Sequence, residues 1–172
     1  LYPDSNVMVM GYQEAPLPNN FFDLAISNVP FGNYQVFDPA FRRNPRITSA
    51  IHNYFFAKAL EQVKPGGVVA FITSRYTMDA QDPFLRRYLS ERADLLGAIR
   101  LPGGRTGAFA DNAGTEVTTD IIFLQKRMPG SEAKGPSWTN TVEVDAPIED
   151  RQETGKTVVN EYFVANPEMM LG

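Results

Sequence analysis

Asn28, Val29, Pro30 and Phe31 close an apolar run that begins at Phe21, and Gly32 follows at once. These residue types in this order can hold a flat, amine-bearing ring. The Asn28 side chain offers one acceptor and two donors, and the backbone carbonyl of Val29 stands beside it as a second acceptor. Two adjacent acceptors can receive both hydrogens of an exocyclic amine. Pro30 fixes φ and limits the freedom of the loop. Phe31 can stack on the ring, for about 1–3 kcal/mol per base. Such a pocket suits a nucleobase drawn out of its stack. With both N–H bonds held, the amine lone pair points at an incoming electrophile.

Strand ends are where such groups belong, and the chain reads as alternating elements. "NVMVM" (6–10) and "DLAIS" (23–27) read as short strands, and residues 29–49 as a long loop rich in Pro, Asn and Arg. Long loops inside compact domains usually carry function. Thr48 or Ser49 can cap a helix whose Phe56, Ala59, Leu60 and Val63 share one face. "KPGG" (64–67) ends it. "VVAFITS" (68–74), "LLGAIRL" (95–101) and "EVTTDIIFLQKR" (116–127) read as strands, and "DPFLRRYLSERA" (82–93) as a helix capped by Asp82. The loop 102–114 joins its two strands without a helical pattern, which suits a hairpin and an antiparallel last strand. The expectation is an α/β fold with a mostly parallel sheet. Ligands of such sheets bind beyond the carboxyl ends of the strands. Residues 28–31, Ser74-Arg75-Tyr76 and the 102–114 loop all fall at such ends.

Composition narrows the classes. The 172 residues suffice for one domain with a core, and 43% of them are hydrophobic. Cysteine is absent, which excludes disulfides and thiolate metal sites and fits a cytoplasmic location. The net charge of −4 is unevenly spread: residues 1–127 carry 13 Lys and Arg against 12 Asp and Glu, residues 128–172 carry 3 against 8. Arg42, Arg43 and Arg46 form a basic cluster in the long loop, a candidate contact for DNA phosphates. No His, Asp and Glu cluster has metal-ligand spacing, and no apolar run reaches membrane-spanning length.

The motif and its order resemble one enzyme family. Asn28-Val29-Pro30-Phe31 after "FDLAIS" resembles the Asn-Pro-Pro-Phe/Tyr motif of S-adenosylmethionine-dependent DNA adenine-N6 methyltransferases. "HNYFFAKALEQVKPGGVVAFITS" is similar to the helix, glycine turn and fifth strand of that family. "LLGAIRLPGG…AF…AGTEVTTDIIFLQKR" is similar to the late region of type I modification subunits. "VNEYFVANPEMMLG" is similar to a segment of helicase–methylase fusions from phages and mobile elements. The resemblance implies a partial Rossmann-like methyltransferase fold with strand order 3-2-1-4-5-7-6, of which strands 3 to 7 are present. It implies S-adenosylmethionine as cofactor, DNA as partner, and transfer of a methyl group to N6 of a flipped adenine. Asn28, Val29, Pro30 and Phe31 would be the catalytic set, Phe31 and Phe109 the stacking residues, and Gly11, Gln13, Glu14 and Asn28 the cofactor contacts.

Two departures qualify the match. Val29 replaces the family's first proline, which leaves that loop less rigid. No Phe-x-Gly-x-Gly motif or ribose-binding acid is found, and "GGRTG" (103–107) is no substitute, because no helix follows it. Residues 1–127 are therefore expected to be the target-base half of a methyltransferase domain, and 128–172 a linker and C-terminal arm. Weak or absent cofactor binding by this chain alone is expected, with the missing N-terminal half of the domain as partner. The edge of residues 23–27 is expected to be covered, either by 6–10 folding back or by a second copy. Other readings are a methyltransferase of RNA adenine or of a glutamine amide, and a non-catalytic DNA-binding remnant.

Overall fold

The computed structural model describes residues 3–32, 34–104, 107–108, 117–147 and 154–171. Four strands form the main sheet: β1 (Phe22–Asn28), β2 (Val63–Ser74), β3 (Ala93–Leu101) and β4 (Thr119–Lys126). Between β1 and β2 lie α1 (Pro45–Thr48) and α2 (Ile51–Gln62), and between β2 and β3 lie α3 (Tyr76–Asp79) and α4 (Phe84–Ser90). The sheet order is β1-β2-β4-β3, with β1 parallel to β2 and β4 antiparallel to both of its neighbours. That is the 4-5-7-6 part of the expected order, with the expected antiparallel strand.

Local chemistry sets the joints. α2 passes straight into β2 at Val63. The Lys126 ammonium closes this joint by donating to the carbonyls of Glu61 and Val63 and to the Asn20 side chain. Cations at helix carboxyl ends complement the dipole. Gly66 has φ +83°, a left-handed turn that favours glycine. At Gly67 a Cβ would sit 3.0 Å from the carbonyl oxygens of Phe22 and Asp23, so only glycine lets β2 approach β1 there. α4 is shorter than the sequence suggested. Asp82 does accept the Phe84 N–H at 3.1 Å, and Arg127 gathers the carbonyls of Ser90, Glu91 and Ala93 just beyond the helix end.

Helices cover one face of the sheet. Val69, Phe71, Ile122, Leu124, Leu95 and Ala98 share that face by register and are buried against Tyr54, Phe56, Leu60 and Leu89. Burying each such side chain contributes about 1.5–3 kcal/mol. Residues of opposite phase make the other face: Leu24, Ile26, Ala70, Ile72, Ile121, Phe123 and Ile99, none of them fully buried. Sheets with parallel strands normally bury both faces.

Several expectations are corrected. Among the described residues there is no strand at 6–10; Val9 is 95% exposed, and no backbone hydrogen bond joins this segment to β1. The fold-back is therefore not formed, and β1 is an open edge with Ile26 72% exposed. An apolar run without a strand to pair with has no reason to extend regularly. The cap of α2 is Ala50, without a side-chain bond, because Thr48 and Ser49 bond back to the Pro45 and Arg46 carbonyls instead. The stretch read as linker and arm holds a hairpin, β5 (Thr141–Pro147) with β6 (Thr154–Asn160), and a short helix, α5 (Glu161–Ala165). Trp138, Val159, Tyr162 and Phe163 from this stretch are buried in the same core.

An open apolar edge recruits a strand from whatever it meets. The chain on its own is expected to self-associate with rising concentration in sedimentation velocity. Ile26→Lys is expected to suppress that association at a folding cost of no more than about 0.5 kcal/mol, as for other exposed positions. A chain that stays monomeric at every concentration would show that the edge is protected in some other way.

Candidate active site

The carboxyl ends of β1, β2 and β3 lie on one side of the sheet. β3 is parallel to β2, since both are antiparallel to β4. Asn28 sits beside Ile72, and Ser74 and Leu101 both face Thr119. Residues 28–31, residues 74–76 and the start of the 102–114 segment are thus brought to one end, while residues 105–106 and 109–114, Phe109 among them, lie outside the described residues.

Asn28 is exposed, and its amide has no hydrogen-bond partner among the described residues. Val29 is anchored: its side chain is 1% exposed, and its N–H donates to the Ile72 carbonyl at 2.9 Å. The Val29 carbonyl has no partner among the described residues. The expectation of a looser loop is thus corrected, because burial and a ladder bond hold the position that proline would stiffen. Phe31 is exposed beside it.

Pro30 lines an open cavity of about 350 Å³ together with Gly11, Tyr12, Gln13, Tyr34, Phe37 and Phe55. Two of the expected cofactor contacts, Gly11 and Gln13, are therefore brought to Pro30. Glu14 is not on this wall; its N–H closes a turn to the Gly11 carbonyl at 2.9 Å. Asn28 lies outside the cavity. Tyr12 is fixed by donating to Gln62 at 2.6 Å and by its ring against Phe55, 4.8 Å between centroids. Burial pushes the Tyr12 hydroxyl well above its ordinary range, so it stays protonated.

Phe55 is a cavity residue that the sequence pattern did not single out, in a run with Tyr54 and Phe56. Tyr54 and Phe56 are fully buried, while Phe55 faces the cavity. Successive helical residues are about 100° apart, so three aromatics in a row cannot all face one core. That spacing was the available signal.

The loop that follows Phe31 is pinned at Asp38. This buried carboxylate accepts from the Tyr54 hydroxyl at 2.6 Å, the Ala40 N–H at 2.9 Å and the Lys58 ammonium at 3.1 Å. Burial alone would raise the Asp38 carboxyl, but these donors outweigh it and hold it below its ordinary range. Arg46 is engaged: it pairs with Asp82, and its guanidinium lies 3.9 Å from the Phe84 ring centroid. Arg42 and Arg43 are exposed and unpaired among the described residues. His52 is half-buried at the start of α2, and burial lowers its pKa. Among the described residues no group of His, Asp and Glu could hold a metal, and no helix is long and apolar enough to cross a membrane.

With this geometry the chain can be set beside known proteins. No family model matches it. The Defense against restriction protein B of Escherichia phage P1 is 32% identical over 132 residues, covering 73% of this chain and 6% of that protein. The chain thus spans a small fraction of the length of the curated relative it matches. A solved class I S-adenosylmethionine-dependent methyltransferase from Listeria monocytogenes is similar in structure, with a TM-score of 0.53 and 19% identity. That similarity covers 70% of this chain and 36% of that one. A modification subunit of a type I restriction enzyme from Vibrio vulnificus gives a TM-score of 0.49 at 17% identity, over 76% of this chain and 27% of that one. The fold is that of part of a class I S-adenosylmethionine-dependent methyltransferase. The resemblance to these methyltransferases first drawn from the sequence holds in the fold.

Anchoring through a carboxylate makes the loop pH-sensitive. The Asp38 contribution is complete above the unfolded carboxyl value, about 3.9, and is lost as pH falls through the lower folded value. Hydrogen exchange at the Val36 amide, which donates to Thr48 at 2.9 Å, is expected to lose protection in that acid range. Asp38→Ala is expected to lose it at neutral pH and to cost about 1–3 kcal/mol, the penalty for buried donors left unpaired. Equal protection in the variant and the parent chain would place the anchor elsewhere.

Proposed function

We propose that the chain is the target-base half of a DNA adenine-N6 methyltransferase that belongs to a larger polypeptide. The observation that carries this is a pair of acceptors at one strand end without partners among the described residues, the Asn28 side-chain oxygen and the Val29 carbonyl. They sit beside an exposed Phe31, on a fold shared with S-adenosylmethionine-dependent methyltransferases.

The two acceptors would take both N6 hydrogens of an adenine out of its stack and aim the lone pair on N6. Phe31 would stack on the ring, with Phe109 as the second stacking residue. The Asn28–Val29 pair acts only if its geometry is fixed beforehand, and the buried Val29 side chain supplies that. S-adenosylmethionine, when bound, supplies the methyl group as a sulfonium. The cavity walled by Gly11, Gln13, Pro30 and Phe55 fits a flat apolar ring with a polar rim, the character of the cofactor's adenine end. Nothing in the sequence supplies the glycine loop or acid for its ribose and amino-acid end. Completing that site falls to the missing half, whose strands and helices would also cover β1 and the bare sheet face. Arg42 and Arg43 would meet DNA phosphates, with Arg46 contributing once freed from Asp82. The phage P1 relative, named for defence against restriction, fits a polypeptide that meets DNA in that setting.

The chain alone is expected to bind S-adenosylmethionine weakly or not at all by calorimetry; micromolar affinity would overturn the half-site reading. In the polypeptide that completes the domain, Asn28→Ala is expected to abolish methyl transfer and to leave the thermal unfolding midpoint in place. Near-normal methylation by that variant would remove Asn28 from the reaction.

A further inference from the structure

Phe37 is 82% exposed on a loop that cannot fold it away. Val36 before it is buried and bonded to Thr48, and Asp38 after it is buried and holds three donors. Phe41, further on, packs edge-to-face on Tyr54 with centroids 5.7 Å apart. Extended alternation between two fixed residues leaves the middle side chain pointing outward. An exposed phenyl ring forgoes the stabilisation that burial would give. Here the backbone has been fixed so that it stays in water. Tyr34, three residues earlier, is also exposed.

The charge along this loop is one-sided. Across residues 30–46 the only carboxylate is Asp38, which is buried and engaged. Arg42 and Arg43 stand exposed on the same anchored loop without partners among the described residues. A fixed, exposed aromatic on the same anchored loop as two guanidinium groups without partners among the described residues matches the two parts of a nucleotide, its flat base and its phosphate. An acidic peptide would use the cations and leave the ring idle. An apolar one would bury the ring and desolvate the cations.

We propose that residues 34–43 form a ledge for an unpaired nucleotide next to the target base. Phe37, flanked by Tyr34, stacks on its base, and Arg42 and Arg43 hold its phosphates. This rests on the nucleic-acid reading given above and deepens it: the strand is bound locally unpaired, beyond the single extruded base. The ledge therefore prefers single-stranded over duplex DNA.

Fluorescence anisotropy of a labelled thymidine dodecamer and of its duplex with deoxyadenosine, using the chain without cofactor, tests this. Tighter binding of the single strand is expected. Phe37→Ala should weaken single-strand binding by about 5- to 150-fold, the range for one lost stacking contact, and Phe37→Trp should restore it. Arg42→Ala with Arg43→Ala should flatten the salt dependence. Phe37 is exposed, so these variants should melt at the temperature of the parent chain. Unchanged affinity in Phe37→Ala overturns the ledge, as does an absence of single-strand binding by the parent chain. In the polypeptide that completes the domain, a Phe37→Ala loss confined to S-adenosylmethionine binding would make Phe37 a cofactor contact and overturn it too. Methyl transfer by Asn28→Ala is a separate readout, so the ledge and the target-base assignment can each fail alone.

Discussion

One buried guanidinium fixes the carboxyl end of the sheet. Arg100, 3% exposed, grips both oxygens of Asp120 at 2.8 and 2.9 Å and pairs with Asp79 at 2.8 Å. Phe163 lies beneath it, 4.4 Å from ring centroid to guanidinium carbon. Burial works against the charge, but the two carboxylates outweigh it and raise the Arg100 pKa above its ordinary range. Asp79 also accepts the Asn160 N–H at 2.9 Å, and the Asn160 amide donates to the Met78 and Trp138 carbonyls. One cluster thus joins β3, β4, α3, the tail hairpin and α5. Removing one partner of a buried pair costs about 3–5 kcal/mol, because the other charge is left without compensation. Such a cluster specifies geometry more than it adds stability. What it specifies is where β3 ends and β4 begins, at Leu101 and Thr119, with Thr119 paired to Ser74.

The two edges of the sheet are treated differently. On the β3 side the chain closes its own edge: Met170 bridges to Arg100, and the Leu171 N–H donates to the Arg100 carbonyl at 2.9 Å. Arg86 adds a second clasp, donating to the carbonyls of Thr77, Ala80 and Thr139. On the β1 side nothing comparable exists among the described residues. Met8, Met10, Leu17, Leu24 and Ile26 line an open groove of about 580 Å³ instead. The sheet is closed on one edge and open and apolar on the other, with its buried core on the helix-covered face. Asn28 ends β1, the strand at the open edge.

The legible parts were those whose signal is local. β2 announced itself by β-branched residues between glycines, and the antiparallel β4 by a connection too poor in helix formers to cross over. The end of β1 at Asn28 was legible because Asn and Pro break the apolar run there. The tail was not: Thr, Glu, Lys and Asp alternate in β5 and β6, as in a solvated segment. Its burial depends on Trp138, Tyr162 and Phe163 meeting a core built by residues far earlier in sequence. "NVMVM" misled in the opposite sense, since an apolar run becomes a strand only when a partner is within reach. Phe37 was missed because exposure is a property of its buried neighbours, Val36 and Asp38.

Val29 shows how such a motif can change and keep its geometry. Proline at this position would fix φ but offer no N–H. Valine restores the donor, which completes one more rung to Ile72, and its branched side chain fills a site that is 1% exposed. A typical hydrogen bond contributes about 0.5–1.5 kcal/mol net, and a buried valine side chain at least as much. Either is comparable to the 0.4–1 kcal/mol that a well-placed proline gives by restricting the unfolded chain. The exchange therefore moves rigidity from the ring of one residue to its contacts with the next strand. The exchange changes the donor side of the peptide and not the acceptor side, and the Val29 carbonyl has no partner among the described residues.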